Sequence, residues 1–179
     1  MTVFISGGAK NGKSTYAQRI AKKLAGDGSL YYVATMIPHD DEDNARIRRH
    51  LQERDGWGFD TLERGTDILG CLETTGGKGS YLLDSVTALL ANEMFRQDGS
   101  FDETAAERVK RELTEFAKRA ESVTFVSDFI YADAEPYDSY TEAYRQGLAQ
   151  IDRALAACCD CVLEICSGQV ISHKGGIVL

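Results

Sequence analysis

Residues 1–15 read MTVFISGGAKNGKST. Val3, Phe4 and Ile5 form a short apolar run, the pattern of a strand buried on both faces of a parallel sheet. Gly7, Gly8, Ala9, Lys10, Asn11, Gly12, Lys13 and Ser14 then match G-x-x-x-x-G-K-[ST], a phosphate-binding loop. Gly7 and Gly12 permit backbone conformations that a side chain would forbid, so consecutive N–H groups can turn toward phosphate oxygens. Lys13 adds a mobile positive charge for the outer phosphates, and the Ser14 hydroxyl is suited to ligate Mg²⁺. From Thr15 to Leu24 the apolar positions are Ala17, Ile20, Ala21 and Leu24, a helical spacing that sets the phosphates at a helix N-terminus. Strand, glycine loop and helix in that order predict a nucleoside triphosphate site.

Outward from this stretch, apolar runs predict strands at 2–6, 30–35, 80–84, 122–127 and 161–166. Helical patterns fall between them, near 14–25, 41–54, 84–97, 102–120 and 138–157. Ser167 to Leu179 reads as a hairpin-like piece: turn, strand, glycine pair, strand. Strands alternating with helices predict an α/β fold, a P-loop NTPase-type, mainly parallel sheet flanked by helices with a C-terminal β-hairpin. The breaks at Gly26-Asp27-Gly28 and Gly76-Gly77-Lys78-Gly79 are short loops, so residues 1–179 are expected to form a single nucleotide-binding domain. Ligands of such sheets sit at the carboxyl ends of the strands, which singles out residues 34–40, 84–88 and 127–137.

The composition narrows the function. Of 179 residues 43% are hydrophobic, as in ordinary globular chains, and the length suits one α/β core. A net charge of −8 and a pI near 4.9 argue against nonspecific nucleic-acid binding. No apolar run reaches the length of a membrane span, and residues 1–5 lead straight into the loop with no leader pattern, so a cytoplasmic protein is expected. Five cysteines, an odd count with no paired C-x-x-C spacing, do not suggest a disulfide framework. Cys161 and Cys166, inside an apolar run, are expected to pack in the core.

Two features carry candidate chemistry. Leu82-Leu83-Asp84 ends a buried strand with a carboxylate, which could hold Mg²⁺ near the phosphates or cap the following helix. Residues 40–55, DDEDNARIRRHLQERD, start acidic and end rich in arginine. Arg46, His50 and Arg54 fall at i, i+4 and i+8, with Arg49 beside them. One reading is a solvated charged face. The other is a histidine kept neutral and nucleophilic by neighbouring guanidinium groups, which would also stabilise charge on a phosphorus under attack. The pattern alone leaves both open.

Taken together, GGAKNGKS, Ala34-Thr35, Arg46-Ile47-x-x-His50, Thr61-x-Glu63, Leu82-Leu83-Asp84 and Asn92 follow an order that resembles the bifunctional adenosylcobinamide kinase/adenosylcobinamide-phosphate guanylyltransferase family. The likeness extends over nearly the whole chain, to Ser167-Gly168 and Lys174. It implies a compact P-loop fold that phosphorylates the aminopropanol hydroxyl of adenosylcobinamide with ATP or GTP. GMP then passes from GTP to that phosphate through a guanylylated histidine. On this resemblance His50 is the nucleophile and Gly7 to Ser14 bind phosphates. Ala34, Thr35, Met36, Leu51, Gln52, Glu53, Arg54, Glu63 and Asp84 complete the GTP site, and Ser14 and Asp84 hold Mg²⁺. A homotrimer is also implied.

The chain departs from the family's usual pattern in three places. An N-E-V-G stretch is replaced by Ser127-Asp128-Phe129-Ile130, and a phenylalanine-arginine-aspartate run before an asparagine-glutamine pair by Tyr144-Arg145-Gln146 with Asp152-Arg153. Leu51 stands where the family is usually basic. Tyr131, Tyr137, Tyr140 and Tyr144 lie in the same region, as surface and interface aromatics or as a platform for a flat ligand. Two further functions fit the loop: another small-molecule P-loop kinase without a covalent intermediate, or a GTP-binding module without catalysis.

Overall fold

The computed structural model describes residues 1–38 and 40–177; the side chains at positions 42–44, 46, 50 and 53 lie outside the described residues. Strands β1 (Thr2–Gly7), β2 (Leu30–Ala34), β3 (Asp60–Glu63), β4 (Ser80–Asp84), β5 (Ser122–Asp128), β6 (Cys161–Cys166) and β7 (Gln169–Lys174) form one sheet in the order β3-β2-β4-β5-β1-β6-β7. Every pairing is parallel except β6 with β7. All six parallel strands therefore end on the same edge, where the loops that could carry chemistry gather.

Alternating residues of the central strands face two separate cores, as the two-residue period of a strand demands. Val3, Ile5 and Leu82 pack with Ala17, Ile20 and Ala21 of α1 (Lys13–Ala25). Phe4, Tyr81, Leu83 and Phe125 face the other side, toward α3 (Gly70–Thr75), α4 (Val86–Met94), α5 (Ala105–Arg119) and α6 (Ser139–Cys158). Burying each such Val, Leu or Ile contributes about 1.5–3 kcal/mol relative to exposure. Helix α2 (Asp41–Glu53) follows β2.

The helix ends show why some predicted bounds shift. Residues 84–97 read as helical, but Ser85 takes the capping position, accepting from Ala88 N at 3.2 Å, so α4 begins at Val86. It stops at Met94 because Gly99 turns the chain in the left-handed region and Phe95 pairs with Phe101. Asp102 holds the N–H and hydroxyl of Thr104, delaying α5 to Ala105. Asp138 caps α6 by accepting from Tyr140 N and Thr141 N.

The C-terminal hairpin is present, with a different partner strand from the one read in residues 167–179. It is formed with β6: Ser167 and Gly168, both at positive φ, make a two-residue turn that returns β7 along β6. After the glycine pair Ile177 is not in a strand, and positions 178–179 lie outside the described residues. Strand β3 and helix α3 are additions to the elements read from the sequence. The cysteines are free, with Cys71, Cys159 and Cys161 buried, whereas Cys166, at the last position of β6, is exposed and is not a core residue. No helix among the described residues is long and apolar enough to cross a membrane.

Candidate active site

The loop from Gly7 to Ser14 joins the end of β1 to α1. A Cβ at Gly7 would fall 2.3 Å from the carbonyl oxygen of Ile165, so only glycine lets β1 lie this close to β6. Asn11 braces the loop by donating to the same carbonyl at 3.4 Å. Ala9 and Lys10 are exposed, with Lys10 at φ 59°, and Gly8 is half-buried. Gly12 sits at φ 84° in the capping position of α1 and supplies no side-chain cap, which leaves the first-turn N–H groups, including that of Ser14, for an anion.

Lys13 is buried, and its ammonium donates to Gly8 O at 2.6 Å and to Asp128 Oδ1 at 2.8 Å. Asp128 ends β5, directly opposite Gly7 in the ladder. Thr87 Oγ1 accepts from its N–H at 2.8 Å, and Phe129 N donates to Gly7 O at 3.0 Å. These bonds tie the carboxylate rigidly to the phosphate loop.

On the same sheet edge a cavity of about 460 Å³ opens over the ends of β2, β3 and β4, a size suited to a nucleotide-sized ligand. Among its lining residues are Ala34 and Met36 after β2, Leu51 on α2, Arg54 just past it, Glu63 at the end of β3, and Asp84 at the end of β4. Residues far apart in sequence thus share one pocket. Thr35 is buried beneath it: its Oγ1 accepts from Ser85 N at 2.7 Å and donates to Ser85 O at 2.8 Å. Asn92 donates to Thr35 O and to Gly65 O, joining the loops after β2 and β3. Gln52 is exposed and does not line the cavity. The side chains of His50 and Glu53, both within α2, lie outside the described residues.

Arg54 is not an exposed clamp. It is buried, with its guanidinium 3.8 Å from the centroid of the Tyr32 ring and Nη2 donating to Thr61 Oγ1 at 3.2 Å. The ring's face stabilises the cation. Tyr32 in turn donates to Asp84 Oδ2 at 3.0 Å. Burial, reinforced by the Asp84 charge, holds the Tyr32 phenol well above its ordinary pKa, so it remains a donor. Because Ser85 caps α4, the Asp84 carboxylate is spared that task. Sequence reasoning misses Tyr32 as part of the site, since in Leu30–Ala34 it reads as strand core.

The tyrosine region divides. Tyr131 donates to Asp152 Oδ2 at 3.0 Å and Tyr144 to Thr87 O at 3.0 Å, so both are internal struts. Tyr137 and Tyr140 are exposed, with Arg145 stacked 4.5 Å from the Tyr137 ring. Asp152 is buried, accepts from Ser127 Oγ at 3.1 Å, and has no partner at Oδ1 among the described residues. Burial, opposed by the hydrogen bonds from Ser127 and Tyr131 and aided by the Asp128 charge, pushes its carboxyl up to about 7. The folded chain therefore holds this proton more tightly than the unfolded chain does. The resulting stability is fully present below about pH 4 and is lost as pH rises through about 7. Between about pH 5 and pH 8, this group alone lowers stability by roughly 2–3 kcal/mol. Urea unfolding of Asp152→Asn should lack that decline; equal pH slopes in the two proteins would reject the assignment.

The geometry has relatives. Residues 3–172 match the family model described as cobinamide kinase / cobinamide phosphate guanyltransferase. The bifunctional adenosylcobalamin biosynthesis protein CobU of Salmonella typhimurium is 27% identical over 97% of this chain and 100% of its own length. The protein of the same name from Escherichia coli is 28% identical over the same shares. Among solved structures, an ATPase domain superposes with a TM-score of 0.54 at 13% identity, covering 97% of this chain and 76% of that one. A KaiC-like protein of Pyrococcus horikoshii gives 0.50 at 13%, over 97% and 78%. The solved structures bear on the fold, which is that of P-loop NTPases; the match over nearly the full length makes this chain a member of the cobinamide kinase / cobinamide phosphate guanyltransferase family and an enzyme of that type.

Proposed function

We propose that this chain performs two linked transfers in cobalamin assembly: phosphorylation of the aminopropanol hydroxyl of adenosylcobinamide by ATP or GTP, then transfer of GMP from GTP onto adenosylcobinamide phosphate through a guanylylated His50. The observation that carries this reading is the nucleotide-sized cavity over β2, β3 and β4, on the same sheet edge as the phosphate loop and lined by Leu51 of α2. Ile47 also lines it, and residue 50 stands three places after Ile47 and one before Leu51.

In the first transfer, phosphates rest on the Gly7–Ser14 loop and the first turn of α1, and Lys13 offsets the charge of the transferred group. In the second, a neutral His50 nitrogen attacks the α-phosphorus of GTP. The bond to the bridging oxygen breaks and pyrophosphate leaves with the electron pair. An oxygen of adenosylcobinamide phosphate then attacks the same phosphorus, the P–N bond breaks, and the imidazole is regenerated. Glu63, at the cavity wall, offers a carboxylate matching the two adjacent N–H donors of guanine, and Arg54 on Tyr32 forms a fixed wall. The hydroxyl of Ser14 and the carboxylate of Asp84, hard oxygen donors, fit Mg²⁺, which would supply charge neutralisation at the phosphates. A homotrimer and a cytoplasmic setting belong to the same reading.

The test is intact-protein mass spectrometry after incubation with GTP and Mg²⁺. The expected result is a GMP-sized gain that is labile in acid and maps by peptide digestion to residue 50. Binding of GTP with no mass gain, or a gain mapping elsewhere, would remove the covalent histidine.

A further inference from the structure

We propose that Asp128 is the general base of the phosphorylation step, taking the proton of the acceptor hydroxyl as that oxygen attacks the γ-phosphorus. The proposal rests on the kinase half of the function proposed above. Asp128 belongs to the stretch 127–130, one of the places where this chain departs from the family's usual pattern.

The argument begins at Lys13. An ammonium has three donors, and two of them are engaged by Gly8 O and Asp128 Oδ1. The third has no partner among the described residues and remains for a phosphate oxygen, which is the task of a lysine at this place in a phosphate loop. A lysine reaching the outer phosphates from this position brings its partner carboxylate next to the transferred group. The 2.8 Å ion pair also fixes the position of the carboxylate beside the ammonium.

Asp128 is also held and reachable. Its backbone is fixed by Thr87 and by the ladder to Gly7. Its side chain is 25% exposed, and it is followed by Phe129, 46% exposed, whose ring lies edge-on to Tyr131 at 4.8 Å. An apolar wall beside an accessible carboxylate suits an alcohol carried on a large ligand.

Four other acids near this edge are poorer choices, the first being Asp133, whose carboxylate is paired with Arg145 at 2.8 Å. Asp152 is buried and faces inward to Ser127 and Tyr131. Asp84 accepts from Tyr32 and is the carboxylate already assigned to Mg²⁺, and Glu63 lies four strands from the loop on β3.

In the step itself the O–H proton passes to Asp128, the new O–P bond forms, and the bond from the γ-phosphorus to the bridging oxygen breaks. The nucleoside diphosphate departs with that electron pair. Bulk water later takes the proton from Asp128.

Asp128→Asn keeps the shape and removes the basicity. Two quantities are read: triphosphate affinity in the presence of Mg²⁺, and the rate of corrinoid-alcohol phosphorylation. The variant is expected to bind triphosphate at least as tightly as the unaltered chain, since Lys13 loses a competing negative charge. Its kcat for phosphorylation should fall by about 10²–10³-fold with little change in KM for the alcohol. A rate within about threefold of the unaltered chain would overturn the proposal. So would a loss of triphosphate affinity equal to the loss of rate, which would make Asp128 only a support for Lys13. An unaltered chain that binds triphosphate but phosphorylates no corrinoid alcohol would overturn the kinase reading, and this proposal with it.

Discussion

His50→Ala is expected to reduce guanylyl transfer by at least about 10³-fold while leaving corrinoid phosphorylation within a few-fold of its original rate. The asymmetry follows from the layout of the sheet edge. On the proposed reading, phosphoryl transfer draws on the loop after β1, Lys13 and Asp128, all at the β1–β5 centre. The cavity beside α2 sits over β3, β2 and β4, whereas the side chains of Lys13 and Asn11 bond to Gly8, Asp128 and Ile165, none of which lines it. A nucleophile lost from α2 therefore removes one displacement and spares the other. Added imidazole offers a finer test. His50→Gly should recover part of the transfer when imidazole is supplied, because a free imidazole can form the same phosphoramidate. A merely structural histidine would show no such rescue. Loss of both half-reactions together would instead point to collapse of the nucleotide site, and full retention of transfer would mean that GMP passes directly to its acceptor.

Much of this arrangement is legible in the chain before any coordinates. The stretch from Thr2 to Ala25 encodes its own strand, loop and helix through local chemistry, and the structure places them at Thr2–Gly7 and Lys13–Ala25. The strand-end rule finds Asp84, and the family resemblance gathers Ala34, Met36, Leu51, Arg54 and Glu63, which converge on one cavity. What escapes depends on contacts that no local spacing records. Strand β3 is a four-residue edge strand with little burial, so it has no alternation to detect. Helix α3 is only six residues long, too short for helical periodicity to stand out. Tyr32 has the ordinary look of a strand aromatic, and its role emerges only once Arg54 stacks on it and Asp84 accepts from it. Helical spacing sets Arg54 on one face with His50, but α2 ends at Glu53, and the next residue turns in to the Tyr32 ring. Asp128 carries the same strand-end signal as Asp84. Its pairing with Lys13, 115 positions away, comes from the sheet order and from nothing local.

That pairing sets the second large effect. Lys13→Ala should depress both half-reactions by about 10²–10³-fold, because each begins with a triphosphate whose charge the ammonium offsets. It should also destabilise the fold, for a separate reason. Removing the lysine strands the Asp128 carboxylate beside the Gly8 carbonyl and leaves a small void where a buried side chain stood. Breaking a fully buried pair costs about 3–5 kcal/mol, but Asp128 retains partial access to water, so a loss of roughly 1–2 kcal/mol is expected. The double variant Lys13→Ala/Asp128→Asn separates the two consequences. It removes the unpaired charge and should regain most of the lost stability in urea titrations, since the residues are in direct contact and their effects are not additive. Neither transfer should recover, because the phosphates still lack their cation. Recovery of activity along with stability would mean that Lys13 serves the fold alone, and undiminished rates in the single variant would mean that the loop after β1 does not hold the reacting phosphates.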